Sequence, residues 1–486
     1  MSARVSVVLV LVLGWLPVGC SSPAPLRDPI FTLRDPESTV SSRRRAISDV
    51  RAGVEDGTLR REDARPALKT LAWSASTPID LRLVALDAIL SDEAESEDSR
   101  EMVRLMIARE PDARMVGRLA QATAENGWTE ATPSLVRSLS RPDGRTPDDA
   151  RPEAKALRRL HPDRTLAEVA FAVFVDPPRE EAAPGLRLGE RARSDAWSLL
   201  SRLDRDGEVR LSLFSDTDLA ASDPVIEAMR ACVRDLRTIP ITGEEIRWLE
   251  SLRADDAAWS GMRDAVASLD RDRSRGLRLR HMPVILWCSR VRPELLARSP
   301  GDLRAELGSR IASEKVHRRR TGRGEPVPAR EESLDQPGFS WGDLLAAQVV
   351  RDALDDPSIA RSLFDQADLD REDRTTEYGG LLLARESQTL RVALYPPRPA
   401  QRRGDREFVA SEEMLDDSTL AFAHYHFHVQ TTDNAEFAGP SATDLDYAQR
   451  LGRTCLVLTS VRAGVLGADL YIPGGLVLDL GEVRRP

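Results

Sequence analysis

Apolar residues recur at helical spacing from Ser41 to about Leu269, and beyond Glu377 they shift to the alternation of strands. Side chains three or four apart share a helix face, whereas side chains two apart share a strand face. The change of period therefore predicts a multidomain chain: an α-helical N-terminal region followed by an α+β domain. A length of 486 residues also exceeds what one ordinary core organises. The helical pattern is plainest over 80–90, 101–108, 112–125 and 131–139. Met115, Leu119 and Ala122 line one helix face, and Leu135, Val136 and Leu139 another. Asn126-Gly127 supplies the turn between them, and Pro133 suits a first helical turn, where its missing N–H does no harm. Helices resume over 192–203, 224–236 and 243–252, where Trp197, Trp248 and Trp259 read as packing aromatics.

Beyond a basic, polar linker at 315–336, the segments 341–354 and 358–367 are amphipathic helices. Strands are expected over 377–384, 389–395 and 420–430, then a helix over 445–451. Strands over 454–461, 468–472 and 476–480 close the domain, which spans 337–486. The net charge of −10 leaves no basic stripe for phosphates and argues against a nucleic-acid partner. Cys20, Cys232, Cys288 and Cys455 form no CxxC pair, so neither a disulfide framework nor a cysteine zinc site is indicated.

The chain has six histidines, and three of them, His424, His426 and His428, fall within five residues of the 420–430 strand. At i, i+2 and i+4 they point the same way and can converge on one ion. Asp444 follows within reach of a short loop. His161, His281 and His317 stand alone and read as surface or satisfied structural residues.

The paired helices joined by Asn126-Gly127, recurring every few tens of residues, resemble HEAT-type repeats over 41–314; an irregular helical array is the alternative. Such a region offers a surface for a protein partner or substrate. The N-terminus has a positive n-region at Met1 to Arg4 and an apolar run from Val5 to Leu13. Gly19-Cys20-Ser21 follows, and the whole resembles a bacterial lipoprotein signal, although Pro17 stands where the family usually has leucine. The resemblance implies removal of the preceding residues, acylation of Cys20 and attachment to the cell envelope through the lipid. Ser21 fits the outer membrane better than the inner. Residues 21–40, rich in proline and serine, then read as a tether.

The last third of the chain carries Glu377-Tyr-Gly-Gly380-Leu-Leu382-Leu on a strand, the His424–His428 cluster, and Pro440-Ser441-Ala-Thr-Asp444 before a helix. In this order the motifs resemble those of the JAB/MPN (JAMM) metalloprotease family. The spacing departs from the family's: Val429 rather than proline follows His428, and the serine comes later than usual. The resemblance implies Zn²⁺ held by two histidines and Asp444, with one position open to water as in catalytic zinc sites. His426 and His428 are the preferred ligands, with His424 as an alternative ligand or an outer partner. Glu377 would carry the water's proton to the leaving amine, and Ser441 would donate to the tetrahedral oxyanion. The implied activity is hydrolysis of peptide or isopeptide bonds in a protein or peptide substrate. The alternative is a non-catalytic envelope scaffold whose C-terminal domain keeps the fold or the metal without turnover.

Overall fold

The computed structural model describes residues 28–93, 96–178, 188–205, 207–215, 223–312, 334, 338–385, 387–404 and 407–486. Cys20, the rest of the signal, His317 and all of the 315–336 linker except Leu334 lie outside them. By internal contacts the chain divides into two compact units, Met1–Pro162 and Asp163–Pro486.

In the first unit the regular elements are all helical, from Pro29–Arg34 to Pro152–Leu160. The apolar faces read from the sequence are the buried ones, with Met115, Leu119, Leu135, Val136 and Leu139 in the core. Val40–Glu55 packs on Ile79–Leu90, and Ile79–Leu90 on Ala113–Glu125, so alternate helices are neighbours. Ion pairs cross the helices at a nearly constant offset: Arg61 with Asp92, Arg65 with Asp98, Arg82 with Glu110 and Arg114 with Asp80 are 28–34 residues apart. A stack of helix pairs of about that length produces such a repeat.

The expected tether at 21–40 is corrected over its described part. Pro29–Arg34 is a helix, capped by the Asp28 carboxylate accepting from the Ile30 N–H at 2.9 Å, and it buries Ile30 and Leu33. Proline lends the stretch a linker's composition, but at the first helical position it costs no hydrogen bond.

The second unit carries helices from Leu166–Val175 to Pro300–Ile311, then Trp341–Leu354 and Pro357–Glu372, then a sheet. Its strands are β1 (Gly379–Ala384), β2 (Leu390–Leu394), β3 (Ala423–His428), β4 (Cys455–Arg462), β5 (Val465–Ile472) and β6 (Leu476–Arg484). Their order is β2-β1-β3-β4-β5-β6, with β3 and β4 parallel and all other neighbours antiparallel. Parallel neighbours need a crossover, and the helix Ala442–Leu451 provides it. Its Ala448 packs on Cys455, Val457, Tyr471 and Val477, which cover one face of the sheet. On the opposite face the Tyr425 hydroxyl donates to Gln366 of Pro357–Glu372 at 2.5 Å.

Composition groups 41–314 as one helical region apart from 337–486, yet the helices of 163–312 share a unit with the sheet. Indole N–H groups make the ties. Trp248 donates to the Thr419 carbonyl at 2.9 Å, Trp287 to that of Gln388 at 2.8 Å, and Trp341 to that of Arg298 at 3.0 Å. Single tryptophans leave no periodic trace in a sequence, so this association is invisible there. Among the described residues no helix is long and apolar enough to cross a membrane.

Candidate metal centre

The site forms where three elements meet at the carboxyl end of β3. Alternation along β3 puts His424, His426 and His428 on one face. The antiparallel register sets Gly379 opposite His426, and the Phe427 N–H donates to the Tyr378 carbonyl at 3.2 Å. Two residues before β1, the chain therefore brings Glu377 alongside His428. The crossover helix runs back from the end of β3, so its first turn faces the same histidines. There Ser441 is the N-cap and Asp444 the third helical residue of a capping box. The Asp444 N–H donates to Ser441 Oγ at 3.3 Å, and the Ser441 N–H to Asp444 Oδ2 at 2.6 Å.

One donor atom each from Glu377, His426 and His428 lies within 4.8 Å of the others, and all three residues are buried. The two Nε2 atoms are 3.3 Å apart. Asp444 Oδ1 is 3.3 Å from His426 Nε2, and Oδ2 is 3.8 Å from His428 Nε2. His428 Nδ1 donates to the Phe437 carbonyl at 3.0 Å, which leaves the Nε2 lone pair facing the group. His426 Nδ1 faces the Tyr471 hydroxyl at 3.5 Å. Tetrahedral coordination with bonds of about 2.0–2.1 Å sets ligand atoms roughly 3.3–3.4 Å apart. The His426–His428 and His426–Asp444 separations match that spacing, and the His428–Asp444 approach is wider. The buried three-residue donor group is completed by Glu377 rather than by Asp444, so the two imidazoles with a carboxylate fit a metal ion.

The electrostatics favour a cation. Glu377 and Asp444 are only 3 % and 9 % exposed. Burial alone would raise the Asp444 pKa, but His426 and His428 beside it outweigh burial and hold the carboxyl well below its usual range. Burial alone would lower His426; Asp444 first, then Glu377 and Asp370, raise it instead.

Of the three same-face histidines the structure brings two together. His424 turns Nδ1 to the Tyr447 hydroxyl at 2.8 Å, and burial keeps its imidazole neutral by lowering its pKa. It is not part of the buried donor group.

Glu377, His428, Ser441 and Asp444 all line a cleft of about 1620 Å³. Two supporting features escaped the sequence reading. Gln430 donates to Glu377 Oε1 at 3.0 Å, and Asn434 donates to Gln430 Oε1 at 2.7 Å and to the His428 carbonyl at 3.1 Å. Gln430 continues the two-residue alternation of the histidines, which is the signal that could have found it. The Phe408 ring stacks on His426 with centroids 5.4 Å apart and planes 13° apart. A Cβ on Gly379 would collide with that ring, so the glycine makes the stack possible. Nothing in the letters marks Phe408.

Compared with protein-family models, curated proteins and solved structures, the chain matches none.

Proposed function

We propose that this chain is a zinc-dependent hydrolase of peptide or isopeptide bonds, of the JAB/MPN type, anchored to the bacterial cell envelope through Cys20. One observation carries the reading: the His426 and His428 nitrogens are grouped with the buried Glu377 carboxylate and lie beside that of Asp444, and Glu377, His428 and Asp444 line a large cleft. That donor set, with room beside it, suits a catalytic rather than a structural zinc. His426, His428 and Asp444 would hold the ion. Bound there, zinc supplies water acidified toward a pKa of about 7 and polarises the scissile carbonyl. Glu377 takes the proton of the attacking water and passes it to the leaving amine. Gln430 holds the Glu377 carboxylate in one orientation for both transfers. Ser441 Oγ accepts from a backbone N–H, so its own hydrogen is available to donate to the oxyanion. The first unit, read as a HEAT-type helical array, is the proposed surface for a partner or substrate.

Metal analysis of the purified full chain should give about one zinc per molecule. Glu377→Gln should keep the zinc and lower cleavage of a peptide library by about 10²–10⁴-fold, the usual worth of a general acid–base group. A wild-type chain that takes up no zinc, or a variant that cleaves as fast as wild type, overturns the reading. Anchoring has its own test: incorporation of labelled palmitate into the wild type and its loss in Cys20→Ala.

A further inference from the structure

We infer that the cleft selects an extended polypeptide by one bulky apolar side chain, seated against Phe408, Leu415 and Phe437 next to the bond to be cut. The inference rests on the hydrolytic reading of the same site and adds a substrate class to it.

Three observations carry it. The first is size. About 1620 Å³ exceeds the roughly 300–1,000 Å³ of small-molecule pockets and accommodates several residues of an extended chain. The second is the placement of apolar surface. Among the described residues nine large hydrophobic side chains are exposed, and two of them, Leu415 at 37 % and Phe437 at 44 %, line this one cleft. Half-buried Phe408 and Val409 line it too. Scattered exposed hydrophobics need no explanation, but apolar side chains gathered beside a polar donor group invite a ligand that covers them. The third is rigidity. The Phe437 carbonyl accepts from His428 Nδ1 at 3.0 Å, which fixes this residue relative to the imidazole. Phe408 is stacked on His426 and packs on the Leu381–Met414–Ala421 cluster. Phe408 and Phe437 are thus each tied directly to one of the two imidazoles.

Charge does not offer a rival basis for selection. Outside the donor group, three arginines and four carboxylates line the cleft among the described residues, close to balance. A substrate lacking a large side chain at this point would leave Leu415 and Phe437 in water. Burying such a side chain is worth a ten- to hundredfold gain in binding.

The test reads binding rather than turnover. The full chain carrying Glu377→Gln, loaded with zinc, is titrated into two labelled hexapeptides that differ only in a central Leu-Phe or Gly-Gly, with fluorescence anisotropy as readout. The Leu-Phe peptide should bind at least tenfold more tightly. Adding Phe437→Ser and Leu415→Ser together should bring it down to the Gly-Gly level while zinc content stays unchanged. If the double change loses zinc, the single changes are read instead, and each should weaken only the Leu-Phe peptide; Phe437→Leu should retain the preference. Equal affinity of the two peptides, no binding of either, or variants as tight as the parent overturns the inference. Peptide preference without any cleavage by the wild type would leave the subsite standing and sink the hydrolase reading.

Discussion

Among the described residues of the second unit, histidine is buried against aspartate at Asp343 and again at Asp444. Around Asp343, Oδ1 accepts from Arg280 Nη2 at 2.8 Å and faces His281 Nε2 at 2.8 Å. Oδ2 accepts from the Ser340 hydroxyl at 2.6 Å and the Ser340 N–H at 3.0 Å. His281 Nδ1 accepts from the Arg278 N–H at 3.0 Å, so its Nε2 must donate to the carboxylate. A Cβ on Gly342 would strike the imidazole, so that glycine permits the close approach. Donors and positive charge are built in. Around Asp444 the arrangement is reversed. Among the described residues its ion partners are imidazoles rather than an arginine, and the two ring nitrogens meet at 3.3 Å with no arginine between them and the carboxylate. Proximity of histidine to aspartate therefore distinguishes nothing. What matters is whether the cluster supplies its own cation or calls for one.

The largest expected effect breaks the second cluster. Asp444→Ala should take the chain from about one zinc per molecule to none on metal analysis, beyond the roughly 10–100-fold that loss of an outer partner costs. Asp343→Ala should leave zinc content unchanged and act on stability instead. Removing one partner of a buried pair strands Arg280, at a cost of about 3–5 kcal/mol measurable by denaturant unfolding of the full chain. Zinc loss in Asp343→Ala, or unchanged stability, would erase the contrast.

The same pair gives a pH signature. Burial would raise the Asp343 pKa, but Arg280 and His281 outweigh it and hold the carboxyl far below its usual range. A depressed folded pKa gives stability that is fully present above the unfolded value of about 3.9 and is lost as pH falls below it. The stability gap between wild type and Asp343→Ala should be flat from about pH 8 to 5 and close below about pH 4. His281 is shifted downward by burial, so wild type should already lose stability as pH falls below about 6.5, where the unfolded chain takes up a proton.

Much of the Asp444 cluster was legible in the letters, because its residues sit on regular elements. His426 and His428 share a face by strand alternation, and Ser441 and Asp444 carry a capping-box spacing. The strands of 337–486 were legible in order for the same reason, though strand β1 begins at Gly379 and leaves Glu377 just before it, while helices such as Leu166–Val175 and Met282–Val291 were not singled out. The Asp343 cluster was not legible. Arg280 and Asp343 are 63 residues apart, and no period connects them. His281 read as a surface or a satisfied structural residue; its burial leaves the second of these, but its partner could not be named. The helix Glu412–Asp417 is not among the elements expected from the sequence, because it is only six residues long and follows a stretch rich in proline and arginine.

A smaller effect separates two roles of one residue. Ser441 caps the crossover helix and is the proposed oxyanion donor. Glycine is a nearly adequate cap, costing only a few tenths of a kcal/mol relative to serine. Ser441→Gly should therefore keep zinc and stability yet lower kcat by about 10²–10³-fold. If kcat follows stability instead, and both barely change, Ser441 is a cap alone.

The smallest expected effect lies one step further from the ion. Gln430 touches Glu377, and Asn434 fixes which end of the Gln430 amide faces it, by donating to Gln430 Oε1. In the Asp343 cluster an outer donor such as Ser340 serves the fold, so Ser340→Ala should cost about 0.5–1.5 kcal/mol of stability without altering zinc content. Gln430→Ala should do the opposite: stability and zinc content near wild type, KM unchanged, and kcat lower by roughly 10–100-fold because Glu377 is no longer oriented. Asn434→Ala should give a weaker copy of the same kcat loss, since the Gln430 amide can then flip. A fall in KM and kcat together, or zinc lost in proportion to activity, would mean that Gln430 supports the strand rather than the proton carrier. The two clusters would then differ in composition but not in kind.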